Sequence, residues 1–280
     1  MGYRSSIGVT ALAAALAMTF AVAQAFDDAK YPDMKGQWNR VGPPNWQAVN
    51  GPAPLTPEYQ AVYNANRADM TNGGPGDVPS WYCLPQGMPM MMNIYDPMEV
   101  IVAPEITYIL ISHVNDSYRR IYTDGRDWPV EGEYELTYAG YSIGKWIDAD
   151  GDGRYEMLEV ETRLLKNPRT YDASGIPFHR DGKTVVKEQI YLDKADKNVL
   201  YDKITVFDNA LSRPWTITKK AARNPKPRPL WHTEACAEDN AMVRIGNNAY
   251  YLSAEGLLMP TKKNQPPPDL RHFNQSREKR

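Results

Sequence analysis

From Glu99 onward the apolar and polar residues of this chain alternate in short runs, the period-two pattern of half-buried strands. The runs Glu99–Val102, Ile106–His113, Tyr118–Thr123, Tyr138–Asp148, Tyr155–Leu164, Thr184–Leu192, Val199–Phe207, Trp215–Lys220 and Asn248–Ser253 are rich in β-branched and aromatic residues. Turn residues separate them, which predicts about nine strands. Gly36-Gln37-Trp38-Asn39-Arg40 opens an earlier one. A single stretch reads as a helix. Thr56 can cap it, Pro57 fits its first position and Glu58 complements the positive end of its dipole. It should run to about Met70, before Asn72-Gly73-Gly74-Pro75-Gly76. Pro43, Pro44, Pro52 and Pro54 exclude regular structure between the first strand and this helix. Short strands without alternating helices predict an all-β chain, as a sandwich or a closed antiparallel barrel. The barrel, with one short N-terminal helix and long loops, is the expectation taken forward.

Alternation also assigns faces. In the strand ending at Leu192, Lys187, Gln189 and Tyr191 share one face and Val186, Glu188, Ile190 and Leu192 the other. Glu188 is therefore a carboxylate among apolar neighbours on the inward face. Such a group needs a partner, or its pKa rises. His179, one of four histidines, lies in the turn-rich connection just before that strand. It is a candidate general acid or base, or else a loop histidine bonded to backbone. The stretch from Tyr118 to Pro129 gathers the most polar chemistry. Arg120, Tyr122 and Asp124 alternate on one face, Asp124-Gly125 marks a turn, and Arg126 and Trp128 follow. Guanidinium groups bind oxyanions bidentately and stack on rings, so the stretch suits an anionic or phenolic aromatic ligand, with Arg120 expected to point into the cavity. The alternative is a solvated turn with an Arg–Asp pair.

The loop from Asp148 to Glu159 matches a twelve-residue calcium loop. Asp148, Asp150 and Asp152 take the first carboxylate positions, Gly153 the sharp turn and Glu159 the final bidentate acid. Its flanks read as strands rather than helices. Two readings stand: a structural Ca2+ held by Asp148, Asp150, Asp152 and Glu159, or a plain Asp/Gly hairpin turn.

Composition changes the picture at the ends of the chain. Residues 1–25 have the layout of a secretory signal, with Arg4, an apolar run and an Ala23-Gln24-Ala25 cleavage site. A single barrel domain is expected over 26–260, followed by a Pro-rich basic tail over 261–280. That tail reads as an extended or disordered arm able to join a homo-oligomer. No other stretch is long and apolar enough to span a bilayer. With 32 Lys and Arg against 34 Asp and Glu, there is no electrostatic case for nucleic acid as a partner. Cys83 and Cys236 are the only cysteines. In an oxidising compartment they read as one disulfide closing a very long loop, worth about 4–5 kcal/mol in the chain-entropy model. A thiol nucleophile or a metal ligand is the alternative, without a C-x-x-C partner in support. Met88, Met90, Met91 and Met92 look like a loop plugging a barrel mouth. They can be core filler, the lining of an apolar ligand site, or a Cu(I) thioether cluster. Hydrolase, nucleotide-binding and zinc-protease motifs are missing from the sequence.

Cys83-Leu84-Pro85-Gln86-Gly87-Met88-Pro89, Arg120-Ile121-Tyr122-Thr123-Asp124-Gly125-Arg126, Gly140-Tyr141-Ser142-Ile143-Gly144-Lys145-Trp146, Pro177-Phe178-His179 and Arg213-Pro214-Trp215 together carry a resemblance. The set resembles a large group of secreted bacterial lipocalin-like β-barrel proteins, over nearly all of the chain after the signal. Gly-x-Trp at the head of the first strand is similar to the opening of lipocalin-type barrels, where the indole closes one barrel end. The group is also similar to enzymes that break down lignin-derived phenolic dimers, the lyases and decarboxylases of phenylcoumaran-type biaryls, γ-formaldehyde lyases among them. Many members have a shorter hairpin after the Trp146 position, so the resemblance leaves calcium open. It implies a periplasmic or secreted, cofactor-independent lyase that cleaves a C–C bond of a phenolic substrate with loss of formaldehyde or CO2. His179 or Glu188 would move the proton. Arg120 and Arg126 would hold the oxyanion, and Asp124 is a further catalytic candidate. Trp38, Tyr122, Tyr141, Trp146 and Trp215 would clamp rings. The alternatives are a non-catalytic lipocalin-like binding protein for small aromatic ligands and a structural envelope protein.

Overall fold

The computed structural model describes residues 27–269, except 94–95, 168, 237–240 and 247. The expected signal over 1–25 and the end of the tail, 270–280, lie outside the described residues. Nine strands close a barrel in chain order: β1 (Gln37–Val41), β2 (Met98–Ala103), β3 (Ile106–His113), β4 (Asn115–Tyr122), β5 (Tyr141–Ile147), β6 (Met157–Arg163), β7 (Val185–Leu192), β8 (Val199–Phe207) and β9 (Trp215–Arg223). The sequence pattern placed eight of these runs within a few residues.

The barrel is mixed, which corrects the all-antiparallel expectation. Every neighbouring pair is antiparallel, including the closing pair β1–β9, except β4 and β5, which run parallel. The cause is parity. Directions that alternate around a ring can close only on an even number of strands, so a ring of nine must contain a like-directed pair. It falls where residues 123–140 carry the chain back along the barrel before β5. The resulting seam is narrow, with only Ile121 facing Ser142 and Tyr122 facing Ile143.

A second sheet contains β10 (Met242–Ile245), β11 (Asn248–Leu252) and β12 (Leu258–Pro260). The run expected as a barrel strand near Asn248 is the middle strand of this sheet instead. Residues 261–269 are packed on it rather than extended. Thr261 Oγ1 and Gln265 Nε2 donate to the Ala249 carbonyl at 3.1 and 2.7 Å, and the Tyr250 hydroxyl donates to the Pro266 carbonyl at 3.1 Å. The expected helix is α2 (Pro57–Thr71), capped by Thr56, whose hydroxyl accepts the Tyr59 N–H at 3.4 Å. A shorter helix, α1 (Trp46–Asn50), fits between the prolines that were expected to exclude regular structure, and it buries Trp46 completely. Cys83 and Cys236 are joined, with Cα atoms 5.4 Å apart across a separation of 153 residues.

The barrel lumen is packed with side chains. Met98, Val100, Ile109, Ile111, Ile121, Leu158, Val160, Val186, Ile190, Leu200, Ile204, Val206 and Ile217 are all buried in one cluster. Gly144 completes the fit on β5, because a Cβ there would stand 2.6 Å from Ile121 Cγ2 and 3.1 Å from Leu158 Cδ1. We expect Gly144→Ala to destabilise the protein by about 1–3 kcal/mol through overpacking. The urea midpoint reads this, and an unchanged midpoint would mean that the wall at β5 relaxes freely.

Candidate functional site

Period-two alternation puts a polar band inside this apolar lumen. On β4 the inward residues are Arg119 and Ile121. On β7 they include Glu188, on β8 Asp202 and on β9 Lys219, and all four polar groups are buried. Glu188 is inward as its strand pattern predicts. Arg119 reaches it with a two-pronged contact: Nη1 donates to Oε1 at 2.8 Å and Nη2 donates to Oε2. Nη2 also donates to Thr162 Oγ1 at 2.7 Å, and Nε donates to Ser142 Oγ at 3.2 Å. The Ser142 and Thr162 hydroxyls bond each other at 2.8 Å. Every guanidinium nitrogen is thereby satisfied, as a charge in so dry a place requires.

Asp202 and Lys219 sit directly opposite each other on β8 and β9. Burial, and then the Glu188 carboxylate, push the Asp202 pKa well above the usual carboxylate range; Arg119 and Lys219 oppose this without reversing it. Among the described residues, neither Asp202 oxygen has a hydrogen-bond partner. Burial also pulls the Lys219 pKa down, to about 8; Arg40 adds to the effect, while Asp172 and Asp202 resist it. Its Nζ has no hydrogen-bond partner among the described residues. Both groups border a cleft with about 20 Å³ of free space, lined also by Trp38, Met91, Met92 and Met98. That is room for a single water, and polar groups without partners are where such waters bind.

The residues expected from sequence are divided between the inside and the outside of the wall. Arg120 faces solvent and lies 5.5 Å over the Tyr118 ring, which corrects the expectation that it points into a cavity. Its shared face with Tyr122 and Asp124 was read properly, but the inward face of β4 is the other one, carrying Arg119 and Ile121. A one-residue step in a strand changes the side completely. Arg126 is also outside. It bonds Asp124 through Nε at 2.9 Å and stacks 3.7 Å over the Tyr122 ring, with Nη1 donating to the Tyr141 hydroxyl at 3.4 Å. Tyr122, Tyr134 and Trp128 surround the Tyr141 ring at 5.0, 4.9 and 6.1 Å. The expected cluster of arginine and rings therefore exists, on the outer wall over the β4–β5 seam.

The three expected tryptophans are inward but do not form one clamp. The Trp38 indole donates to the Met34 carbonyl at 2.9 Å beneath the Arg223 guanidinium, 4.4 Å from its ring. Trp146 packs edge-on to Tyr31 at 5.2 Å where β5 ends. Trp215, at the start of β9 and so toward the other end of the barrel, packs with Trp46 at 5.1 Å and Tyr171 at 5.3 Å. His179 is not brought to Glu188. Its Nδ1 lies 3.0 Å from an Asp181 oxygen and its ring 5.1 Å from Tyr59, in the loop before β7. Met88, Met90, Met91 and Met92 are all buried as core filler at the barrel mouth, and Met91 and Met92 reach the cleft.

The calcium set does not assemble as expected. Asp148, Asp150 and Asp152 converge with Glu156, whereas Glu159 lies on the outer face of β6 and accepts from Gln189 Nε2 at 3.0 Å. Extended backbone carries the twelfth position away from the turn. The aspartates instead bind their own loop: Asp148 accepts from the Gly151 and Gly153 N–H groups at 2.7 and 2.9 Å, and Glu156 from Ala149 at 2.7 Å. Three of the four expected ligands therefore meet in the β5–β6 turn, with Glu156 in the place expected for Glu159.

Sequence reasoning missed Arg119, Asp202 and Lys219. The signal was available. Leu200, Ile204 and Val206 flank Asp202 on one face, and Trp215, Ile217 and Ala221 flank Lys219, by the same rule that found Glu188. No known family model matches the chain, and no curated protein is significantly similar to it.

Two measurements test the band. Arg119→Met should cost about 3–5 kcal/mol by stranding Glu188, while the double variant Arg119→Met, Glu188→Met should cost less than the sum of the two single changes. Strict additivity in urea unfolding would mean that the pair is not coupled. For Lys219, the folded pKa of about 8 lies below the ordinary 10.5. Between these values the unfolded chain binds more protons, so the stability contributed by this group rises with pH from about 8 to 10.5 and is lowest below 8. Lys219→Met should melt higher than the parent at pH 7, with the gap narrowing across that window. A gap independent of pH would place the ammonium in water.

Proposed function

We propose that this chain is a cofactor-independent lyase that breaks a C–C bond of a phenolic substrate by proton transfer, with Lys219 as base and Asp202 as acid. The observation that carries this reading is the pairing of a lysine whose pKa falls to about 8 with a neutral carboxylic acid across one Trp- and Met-lined cleft. A base poised near neutral pH beside an acid of raised pKa is what general acid–base catalysis needs. In the reaction, Lys219 Nζ takes the proton of a hydroxymethyl group. The para phenol first expels the aryl-ether oxygen at its benzylic carbon, its proton passing to that oxygen, which leaves a quinone methide; the electrons of the adjoining C–C bond then pass into this ring, which becomes a phenolate as formaldehyde leaves. Asp202 gives its proton to the developing oxyanion, and the Lys219 ammonium and Asp202 carboxylate that result face each other across the cleft. No redox partner is required. An aromatic ring enters only if the turn Met90–Asn93 moves, since the cleft itself holds one water; unbranched methionines make that repacking cheap. The disulfide supports an oxidising compartment, periplasmic or extracellular.

The second reading, a lipocalin-like binding protein without chemistry, is favoured by the outer cluster of Arg126, Tyr122, Tyr141 and Trp128, where a guanidinium already stacks on a ring. Incubation of the protein with a panel of phenolic dimers, without added cofactor, separates the two. Turnover by the parent, with losses on the order of a hundredfold or more in Lys219→Met and Asp202→Asn of unchanged fold, supports the lyase. Saturable binding with every compound recovered intact, and weakened by Arg126→Ala, supports the binding protein and removes the lyase.

A further inference from the structure

We infer that Asp96, His113 and Glu234 form a binding site for a borderline divalent cation of the Zn2+ class, at the barrel mouth. This inference is independent of the lyase reading. Asp96 and His113 come from the two arms of the β2–β3 hairpin, at the entry to β2 and the end of β3, and Glu234 from the distant segment that precedes β10. His113 Nδ1 and one oxygen from each carboxylate lie within 4.8 Å of one another. Ligand bonds to such an ion are about 2.0–2.2 Å, so small side-chain rotations bring all three donors onto one centre. The imidazole offers a nitrogen donor, and the two carboxylates carry a charge that a dication balances. Among the described residues no lysine or arginine does so: Asp96 pairs with His113, and the Glu234 carboxylate accepts only the Val114 N–H.

The backbone around the three donors is unusually constrained. Val114, between β3 and β4, has φ of 66°, which a β-branched residue adopts only under strain. That conformation turns its N–H onto Glu234 Oε2 at 2.8 Å and so fixes the carboxylate's direction, as outer hydrogen bonds do at metal centres. Cys236, two residues beyond Glu234, is bonded to Cys83, and its N–H donates to the Val114 carbonyl at 2.8 Å. Glu234 is thus held beside the end of β3 from both directions. A pocket of about 280 Å³ borders His113, Asp116 and Tyr118, leaving room for water or a further ligand to complete the coordination. An imidazole disfavours Ca2+ and Mg2+, and the set has no sulfur donor for Cu(I), so Zn2+ or Mn2+ fits best. The Asp148 loop differs in both respects, being purely acidic with its oxygens engaged by its own backbone.

The test uses the whole protein, stripped with chelator, exposed to Zn2+ and desalted. We expect one equivalent of zinc retained by elemental analysis, a higher melting temperature with added Zn2+, and a visible absorption band with Co2+. Asp96→Asn with Glu234→Gln, which keeps shape, should weaken zinc binding about a hundredfold or more; His179→Ala should leave it unchanged. His113→Ala provides a second reading if the double variant does not fold. A parent that retains no zinc, or retention in the folded variants equal to the parent's, overturns the site.

Discussion

The structure depends on one ion pair placed where water cannot reach it. Arg119 and Glu188 lie on β4 and β7, which are not neighbours, so their fork spans the lumen over β5 and β6. On the way the guanidinium bonds Ser142 of β5 and Thr162 of β6. Those bonds matter because the β4–β5 seam has only two facing residue pairs. A parallel seam forced by odd parity offers few ladder bonds, and side chains inside the barrel supply part of what the ladder lacks. The ion pair, the seam and the strand count are therefore one problem with one solution.

The same pair sets the chemistry of its neighbours. Burial, and then the Glu188 carboxylate beside it, make ionisation of Asp202 costly and raise its pKa well above the usual carboxylate range. Lys219 then lacks a full counter-charge and, being buried, holds its proton weakly. A carboxyl of raised pKa and an amine of lowered pKa consequently face one cleft. The protonation states are a property of the group and cannot be attributed to any one residue.

Most of the barrel was legible because period-two alternation survives wherever one face of a strand is buried. Val199–Phe207 was placed to the residue, and Glu188 was read as an inward carboxylate. The rule failed where both faces are rich in large side chains. In Tyr118–Tyr122 the outer face carries Tyr118, Arg120 and Tyr122 and so resembles a core face in sequence, although Tyr118 and Arg120 are exposed and Tyr122 is covered by Arg126. The true inward face holds only Arg119 and Ile121. Spacing at Asp148–Glu159 matched a calcium loop, yet spacing speaks for donor geometry only when the flanks are helical; here they are extended, and Glu159 points the wrong way. Asp96 and His113 meet where β2 and β3 pair, and nothing in the sequence showed that Glu234 joins them, since a disulfide linking residues 153 apart holds it there.

Replacing a buried ion pair by well-packed apolar residues is often neutral or stabilising. A lumen already lined by Ile109, Ile121, Leu158 and Ile204 could accept such a change at its centre. A barrel selected for stability alone would therefore have little use for Arg119, Glu188, Asp202 and Lys219 together. Satisfying the guanidinium accounts for Glu188, Ser142 and Thr162, and these form a closed set of partners. Asp202 and Lys219 fall outside that set: buried without hydrogen-bond partners among the described residues, they contribute no side-chain bond to the seam, and they border a cleft inside the band. The stability they forgo is the argument that the cleft, rather than the ion pair, is the part of the band retained for chemistry.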